Sequence, residues 1–210
     1  MIKHLAAAIA LALSTGAMAG TSTFNSAAEF SSTQGSGGWT YGYYATPGVP
    51  STFTALPFFD AAQNPQWWEQ VQNQGADNVW TLLWDTGGHP DTNAWAVRRW
   101  TSGVAGTLDF GIQYQLENPQ GHTAVHVLVN GSSVYDALAG DTLESRAFST
   151  AIGVGSTVDF AIDAEGSTSF DATRFTAQGY VTAVPEPESY ALMLAGLGVL
   201  GAVARRSRKA

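Results

Sequence analysis

From Ala94 onward several segments repeat hydrophobicity at every second residue, and few folds accept that period. Leu108, Phe110, Ile112, Tyr114 and Leu116 alternate with Asp109, Gly111, Gln113 and Gln115. Successive side chains of a strand point to opposite faces, so this segment predicts a strand with one face buried and one wet. Val125, Val127 and Val129 predict a second, and Asn130-Gly131 predicts a tight hairpin into Ser133-Val134-Tyr135. Val158, Phe160 and Ile162 alternate with Asp159, Ala161 and Asp163, and Phe175 to Val181 supplies a last strand. Strands at this spacing, separated by Gly-rich turns, predict an all-β fold, an antiparallel β-sandwich or barrel.

Upstream the texture differs. From Thr21 to about Asn93 the chain is rich in Gly, Ser, Thr, Gln and Asn, with five prolines among aromatics. This predicts turns and short strands. One brief helix is expected at Pro65 to Gln74, where Asn64 would cap, Pro65 would take the first helical position, and Trp67, Trp68 and Val71 would share a face.

The two ends are of another kind. Met1 to Ala19 has a basic start at Lys3, an apolar stretch from Leu5 to Leu13 and a small-residue end, Ala17-Met18-Ala19, which together describe a secretory signal peptide cut after Ala19. At the other end Val184-Pro185-Glu186-Pro187 precedes an apolar run from Tyr190 to Ala204, then Arg205, Arg206, Arg208 and Lys209. The run makes about 22 Å of helix, short of the ~20 residues of an unassisted membrane span. The basic cluster would stay on the cytoplasmic side, its long stems snorkelling to extend the span. The organisation read from this is a signal peptide at 1–19, a β-sandwich ectodomain at 20–183 and a tail at 184–210, with a signal helix and a C-terminal transmembrane helix flanking the sandwich.

The tail resembles the PEP-CTERM sorting signal of Gram-negative bacteria, over roughly Val184 to Lys209. The resemblance implies that the tail holds the precursor in the inner membrane until exosortase, a membrane-embedded cysteine transpeptidase, cuts near the triplet. Pro185, Glu186 and Pro187 would then be the recognition motif, and Arg205, Arg206, Arg208 and Lys209 the stop signal. Two prolines fix φ and forbid helix or sheet, which leaves an extended segment that an enzyme can grip. Localisation follows as the inner membrane for the precursor, then the outer surface or extracellular matrix.

Composition narrows the partners of the body. Residues 20–183 carry fifteen acidic side chains against Arg98, Arg99, Arg146 and Arg174, and no lysine. Such a surface repels phosphate backbones, so nucleic acid is not expected as a partner. Cysteine is absent, which excludes disulfides, thiolate metal sites and cysteine nucleophiles. Stability must come from the core.

The segments Trp95 to Ser102, Ala105-Gly106-Thr107, Val127 to Gly131, Val154 to Asp163 and Asp171 to Phe175 look like jelly-roll domains of bacterial extracellular proteins similar to carbohydrate-binding modules. Related sequences carry Gly-Asp before the Val-Asp-Phe strand, where this chain has Gly155-Ser156-Thr157. The resemblance implies a jelly-roll sandwich, and any ion-binding role of that Asp would pass to Asp159, Asp163 or Asp171. These three, with Glu165, are the Ca²⁺ candidates, without the regular loop spacing of a dedicated site. No other cofactor is expected.

All seven tryptophans lie between Trp39 and Trp100, and flat aromatic faces are what sugar rings stack upon. Large aromatics also dominate cores. Trp67-Trp68 is the expected exposed pair, because neighbours on a strand cannot both face one core. Arg98 and Arg99, between Trp95 and Trp100, are expected to point one outward and one toward acidic or aromatic partners; together with the tryptophan pair they are the candidate ligand residues. Asp85-Thr86-Gly87 spells half of an aspartic-protease site, but that chemistry needs two carboxylates sharing a proton, so a turn is expected. His122 and His126 would stand about 13 Å apart along a strand and cannot share an ion without a bend; with His89 they read as edge or surface histidines. No Gly-x-Ser-x-Gly elbow occurs, and no catalytic residue is assigned.

The sequence therefore predicts an exported, non-enzymatic envelope or matrix protein, sorted by exosortase, whose body associates with exopolysaccharide. A structural component without a ligand is the first alternative. A polysaccharide hydrolase is the second, and would need two carboxylates about 5 to 10 Å apart in a cleft.

Overall fold

The computed structural model describes residues 21–62, 65–68, 80–183, 194–201 and 205–206. One compact unit spans Thr21–Ala183. Within it run, in chain order, β1 (Thr21–Asn25), β2 (Trp39–Tyr44), β3 (Phe53–Ala55), β4 (Phe58–Asp60), β5 (Gln66–Trp68), β6 (Leu82–Trp84), β7 (Gly87–His89), β8 (Trp95–Thr101), β9 (Gly106–Leu116), β10 (Thr123–Val129), β11 (Ser132–Ala139), β12 (Glu144–Ile152), β13 (Thr157–Asp163) and β14 (Thr173–Ala183).

These strands form two sheets in which every pairing is antiparallel. The first has the order β12-β9-β14-β7-β6-β5-β4, with β1 also on β14; the second is β11-β10-β13-β8-β2-β3. From β8 onward the chain crosses between sheets at almost every connection, the winding of a sandwich of the jelly-roll kind. The expected β-sandwich is present, and the period of two is its cause. Leu108, Phe110, Ile112, Tyr114 and Leu116 from β9 all enter the core, where they meet Trp39, Tyr41, Trp100, Val125, Val127 and Phe160 of the second sheet.

Asn130 and Gly131 both take positive φ, 50° and 79°, the geometry that lets a two-residue turn follow the strand twist. That turn joins β10 to β11 as expected. One strand, β12, has no alternation to announce it. It is an edge whose residues are mostly exposed, and its inward Phe148 stacks on Phe110 with centroids 4.9 Å apart. Beside it the Tyr114 hydroxyl meets that of Tyr135 at 2.7 Å and donates to Glu144 Oε2 at 3.1 Å. These contacts close the sandwich on that side.

One expectation needs correction. The helix at Pro65 to Gln74 is replaced at residues 66–68 by β5, where Trp67 stands opposite both Phe59 and Leu83; Asn64 and residues 69–74 lie outside the described residues. Tertiary pairing has overridden a local capping signal. The expected C-terminal transmembrane helix lies partly outside the described residues, at 190–193 and 202–204. Residues 194–201 are helical and exposed, but no helix among the described residues is long and apolar enough to cross a membrane. Arg205 and Arg206 are helical and exposed. The signal segment, Pro185, Glu186, Pro187, Arg208 and Lys209 lie outside the described residues.

Candidate functional site

The polar half of the β9 alternation is one row of a broad wet face. Pairing in register sets Asp109 opposite Tyr180, Gly111 opposite Gln178, Gln113 opposite Thr176 and Gln115 opposite Arg174 on β14. On the other side β12 sets Ser149 opposite Asp109, Ala147 opposite Gly111 and Ser145 opposite Gln113. Thr23 and Asn25 of β1 continue the rows beyond Tyr180 and Gln178. Four strands thus carry small, hydroxyl, amide and charged groups outward while their alternate residues fill the core.

Small residues make this face hollow. Gly111 has no side chain and Ala147 almost none, and around them lie two depressions of about 880 and 390 Å³. Both are bordered by Asn25, Gly111 and Gln178, so they form one trough. Tyr180 borders the larger hollow and is 46% exposed. An exposed phenol ring above a floor of amides, hydroxyls and two carboxylates offers an apolar plane beside many hydrogen-bond donors and acceptors. That is the chemistry a hydroxyl-rich ring requires.

The sequence pointed to other aromatics. Trp67 and Trp68 are 5% and 8% exposed, so the expected exposed pair is not available as a stacking platform. The local rule holds, since they face opposite ways. Trp67 enters the core, donates Nε1–H to Ser31 O at 2.9 Å and stacks on Tyr41. The back of Trp68 is covered edge-to-face by Trp80, with centroids 5.6 Å apart.

Neither Arg98 nor Arg99 is free to meet a ligand. Arg98 lies on β8 between Ala96 and Trp100, which face the core. Its guanidinium is fully buried and donates to the carbonyls of Trp84, Asp85 (2.8 Å) and Gly87 (2.7 Å). Burial draws its pKa down to about 10, so it remains charged at neutral pH. Two of these carbonyls belong to the Asp85-Thr86-Gly87 turn and the third to Trp84 just before it, and the turn joins β6 to β7 as expected. Arg99, on the opposite face, forks onto Asp159 through Nε (2.7 Å) and Nη2 (2.8 Å) and lies 3.9 Å from the centroid of Phe53.

The Ca²⁺ candidates are not brought together. Asp159 is fully buried and gives both oxygens to Arg99, while Tyr44 donates to its Oδ2 at 2.5 Å. Asp163 stands at the end of β13, 3.9 Å from His126 Nε2. Among the described residues no cluster of three or more His, Asp or Glu could hold a metal ion. His126 is not a surface histidine: it is buried, stacked on Trp95 at 4.0 Å between centroids and bonded through Nδ1 to Asp136 at 2.6 Å.

Asp171 is fully buried and accepts the His122 backbone N–H at 3.1 Å, leaving Oδ2 without a partner among the described residues. Burial pushes its carboxyl above the ordinary 3.8. The folded state then binds more protons than the unfolded state, so this group's stabilising contribution is complete below pH 3.8 and is lost as pH rises through the folded value. Asp171→Asn removes that loss. In urea titrations from about pH 3 to 7, the variant should gain stability relative to the wild type as pH rises; a pH-independent difference would refute the assignment.

Comparison with known proteins agrees on the tail. Residues 183–209 match the PEP-CTERM protein-sorting motif. The chain therefore carries a sorting signal of exported proteins that exosortase delivers to the cell envelope. No curated protein matches the chain. Among solved structures it is similar to a GH26-CBM35 β-(1,4)-mannanase of Podospora anserina, at 15% identity over 81% of this chain and 29% of that one, with a TM-score of 0.36. It is also similar to the CBM36-1 domain of a multidomain xylanase from the hindgut metagenome of Trinervitermes trinervoides (15% identity, 51% and 94% coverage, TM-score 0.34) and to a CBM35 from Paenibacillus barcinonensis (14%, 77% and 98%, 0.30). These are distant likenesses in strand arrangement, and they carry no ligand to this chain.

Tyr180, Gln178 and Asp109 are functional candidates that sequence reasoning passed over. The signal was present, since Arg174, Thr176, Gln178 and Tyr180 alternate with Phe175, Ala177, Gly179 and Val181. Attention to tryptophan hid it.

Proposed function

We propose that this chain is an exported, non-enzymatic protein of a Gram-negative envelope, held in the inner membrane as a precursor and then passed by exosortase to the outer surface or extracellular matrix. There its sandwich associates with polysaccharide through the trough. The observation that carries this reading is the sorting motif at residues 183–209, which begins where β14 ends at Ala183. In it Pro185, Glu186 and Pro187 serve recognition, and Arg205, Arg206, Arg208 and Lys209 hold the tail at the cytoplasmic face.

The trough does not favour a hydrolase. Its two carboxylates are Asp109 and Glu29, and Glu29 Oε2 is engaged by Trp39 Nε1–H at 2.8 Å. Polar groups without a paired acid and base suit holding a glycan, not cutting it.

Intact mass of the mature protein from the producing host tests the sorting half. The wild type should lose its tail, and a variant with Pro185→Ala, Glu186→Ala and Pro187→Ala should keep it; an uncut tail in both would leave a membrane-held periplasmic domain. Affinity electrophoresis in gels containing polysaccharides, the producer's own included, tests the other half. Tyr180→Ala should weaken retardation about tenfold without a change in melting temperature. A wild type that no polysaccharide retards would make the sandwich a structural component without a ligand.

A further inference from the structure

The trough is electrically uneven, and its unevenness selects among polysaccharides. Of the four arginines in Thr21–Ala183, Arg98 is spent on carbonyls, Arg99 on Asp159 and Arg146 on Glu144 at 2.7 Å. Arg174 is exposed and has no hydrogen-bond or ion-pair partner among the described residues. It borders the smaller hollow, beside Gln113, Thr176 and Gln178. At the other end, bordering the larger hollow, stand Asp109 and Tyr180. Arg174 and Tyr180 point outward from the same strand, six positions apart, so the two ends lie about 20 Å from one another.

We infer that the trough takes a linear polysaccharide whose carboxylate-bearing sugars are spaced by neutral ones, with a carboxylate on Arg174 and a neutral ring on Tyr180. This inference rests on the reading of the trough as a glycan site. The protein's acidic surface disfavours polyanions in general, which makes one unspent guanidinium on a sheet face a local exception. Its planar fork matches a carboxylate. Asp109 supplies the opposite preference: it repels an anionic sugar at the Tyr180 end and accepts hydroxyl protons from a neutral one. A strand charged at every sugar would satisfy Arg174 and be repelled by Asp109. A neutral strand would satisfy Tyr180 and leave Arg174 unused.

Three probes separate these cases on the full mature chain: deacylated gellan, in which neutral sugars separate the carboxylates; alginate, with a carboxylate on every sugar; and dextran, with none. Gellan should bind about tenfold more tightly than either at low salt, and the advantage over dextran should fall as ionic strength rises. Arg174→Gln should bring gellan to the level of dextran, Arg174→Lys should keep part of the difference, and Asp109→Asn should raise alginate selectively. All three variants alter exposed or half-exposed side chains, and unchanged melting temperatures would verify their folding. If Tyr180→Ala weakens binding but gellan and dextran bind alike, or Arg174→Gln changes nothing, the charge selection is wrong while the glycan site stands. If none of the probes and none of the producer's own polysaccharides binds, both fall.

Discussion

Arg98→Met should destabilise the sandwich by about 4 kcal/mol, lowering the melting temperature by roughly 10 °C or more. The replacement is close in length and apolar, so packing alone would forecast a mild effect. The loss comes from what Arg98 serves. Its guanidinium leaves the second sheet, crosses the core and satisfies three backbone carbonyls at the β6–β7 turn in the first. It also reaches Ser26 Oγ at 3.4 Å, and Ser26 itself accepts the Ala177 N–H at 2.9 Å. With Met in place, three carbonyls lose their donor, each at about 1 to 3 kcal/mol where water cannot reach. The turn cannot easily move to meet water. A Cβ on Gly87 would lie 2.4 Å from Thr173 O, and one on Gly88 would lie 2.8 Å from Leu83 Cδ2 and 2.9 Å from Leu82 O, so the hairpin is wedged against its neighbours. Arg98→Lys should recover only part, because one ammonium does not span the three acceptors. Chemical denaturation of wild type and both variants decides it: a cost below about 1 kcal/mol for Met would mean that the turn rearranges.

Arg98 and Arg99 show how far the sequence reaches. Adjacent strand residues face opposite sides, so their divergence was legible, and so was the identity of their face-mates, Ala96 and Trp100 on one side, Trp95 and Val97 on the other. That each side would have partners waiting was not, because Asp85 and Asp159 reach β8 only through tertiary pairing. The same limit explains Trp68, whose cover comes from Trp80 twelve positions later. Strong strands were legible wherever apolar and polar residues alternate, as in β9 and β14, which have one wet face, and in β13, whose polar-face Asp159 is buried as well. The edge strand β12 was not, since an edge buries little and its inward Glu144 and Arg146 satisfy each other. The trough lies between these cases. Each of its polar rows can be read from a single strand, but their union across β12, β9, β14 and β1 is a property of strand order. The sorting tail needed no tertiary information, because a triplet, an apolar run and a basic cluster act as local sequence.

Asp159→Asn should cost about 3 kcal/mol, for a different reason from Arg98. The carboxylate is fully buried and holds three donors, two from Arg99 and one from Tyr44. These bonds cross from β13 to β8 by direct pairing and on to β2, and the cluster is roofed by Phe53, which lies over the position where Gly42 has no side chain. Replacing one oxygen by an amide nitrogen sets a donor against donors and leaves Arg99 without its counter-charge beneath that roof. Buried pairs stabilise little in themselves, because desolvation offsets most of their attraction; what costs is leaving one member alone. The expectation is therefore non-additive. The triple variant Asp159→Leu, Arg99→Met, Tyr44→Phe removes every charged and polar member together and should lie within about 1 kcal/mol of the wild type, less harmful than Asp159→Asn by itself. Equilibrium denaturation of the singles and the triple separates the two accounts. If the triple is as damaging as the sum of its parts, the pair contributes net stability, and the outer layer of the second sheet is held by charge and not by the packing of Phe53, Val97, Leu128 and Ala161.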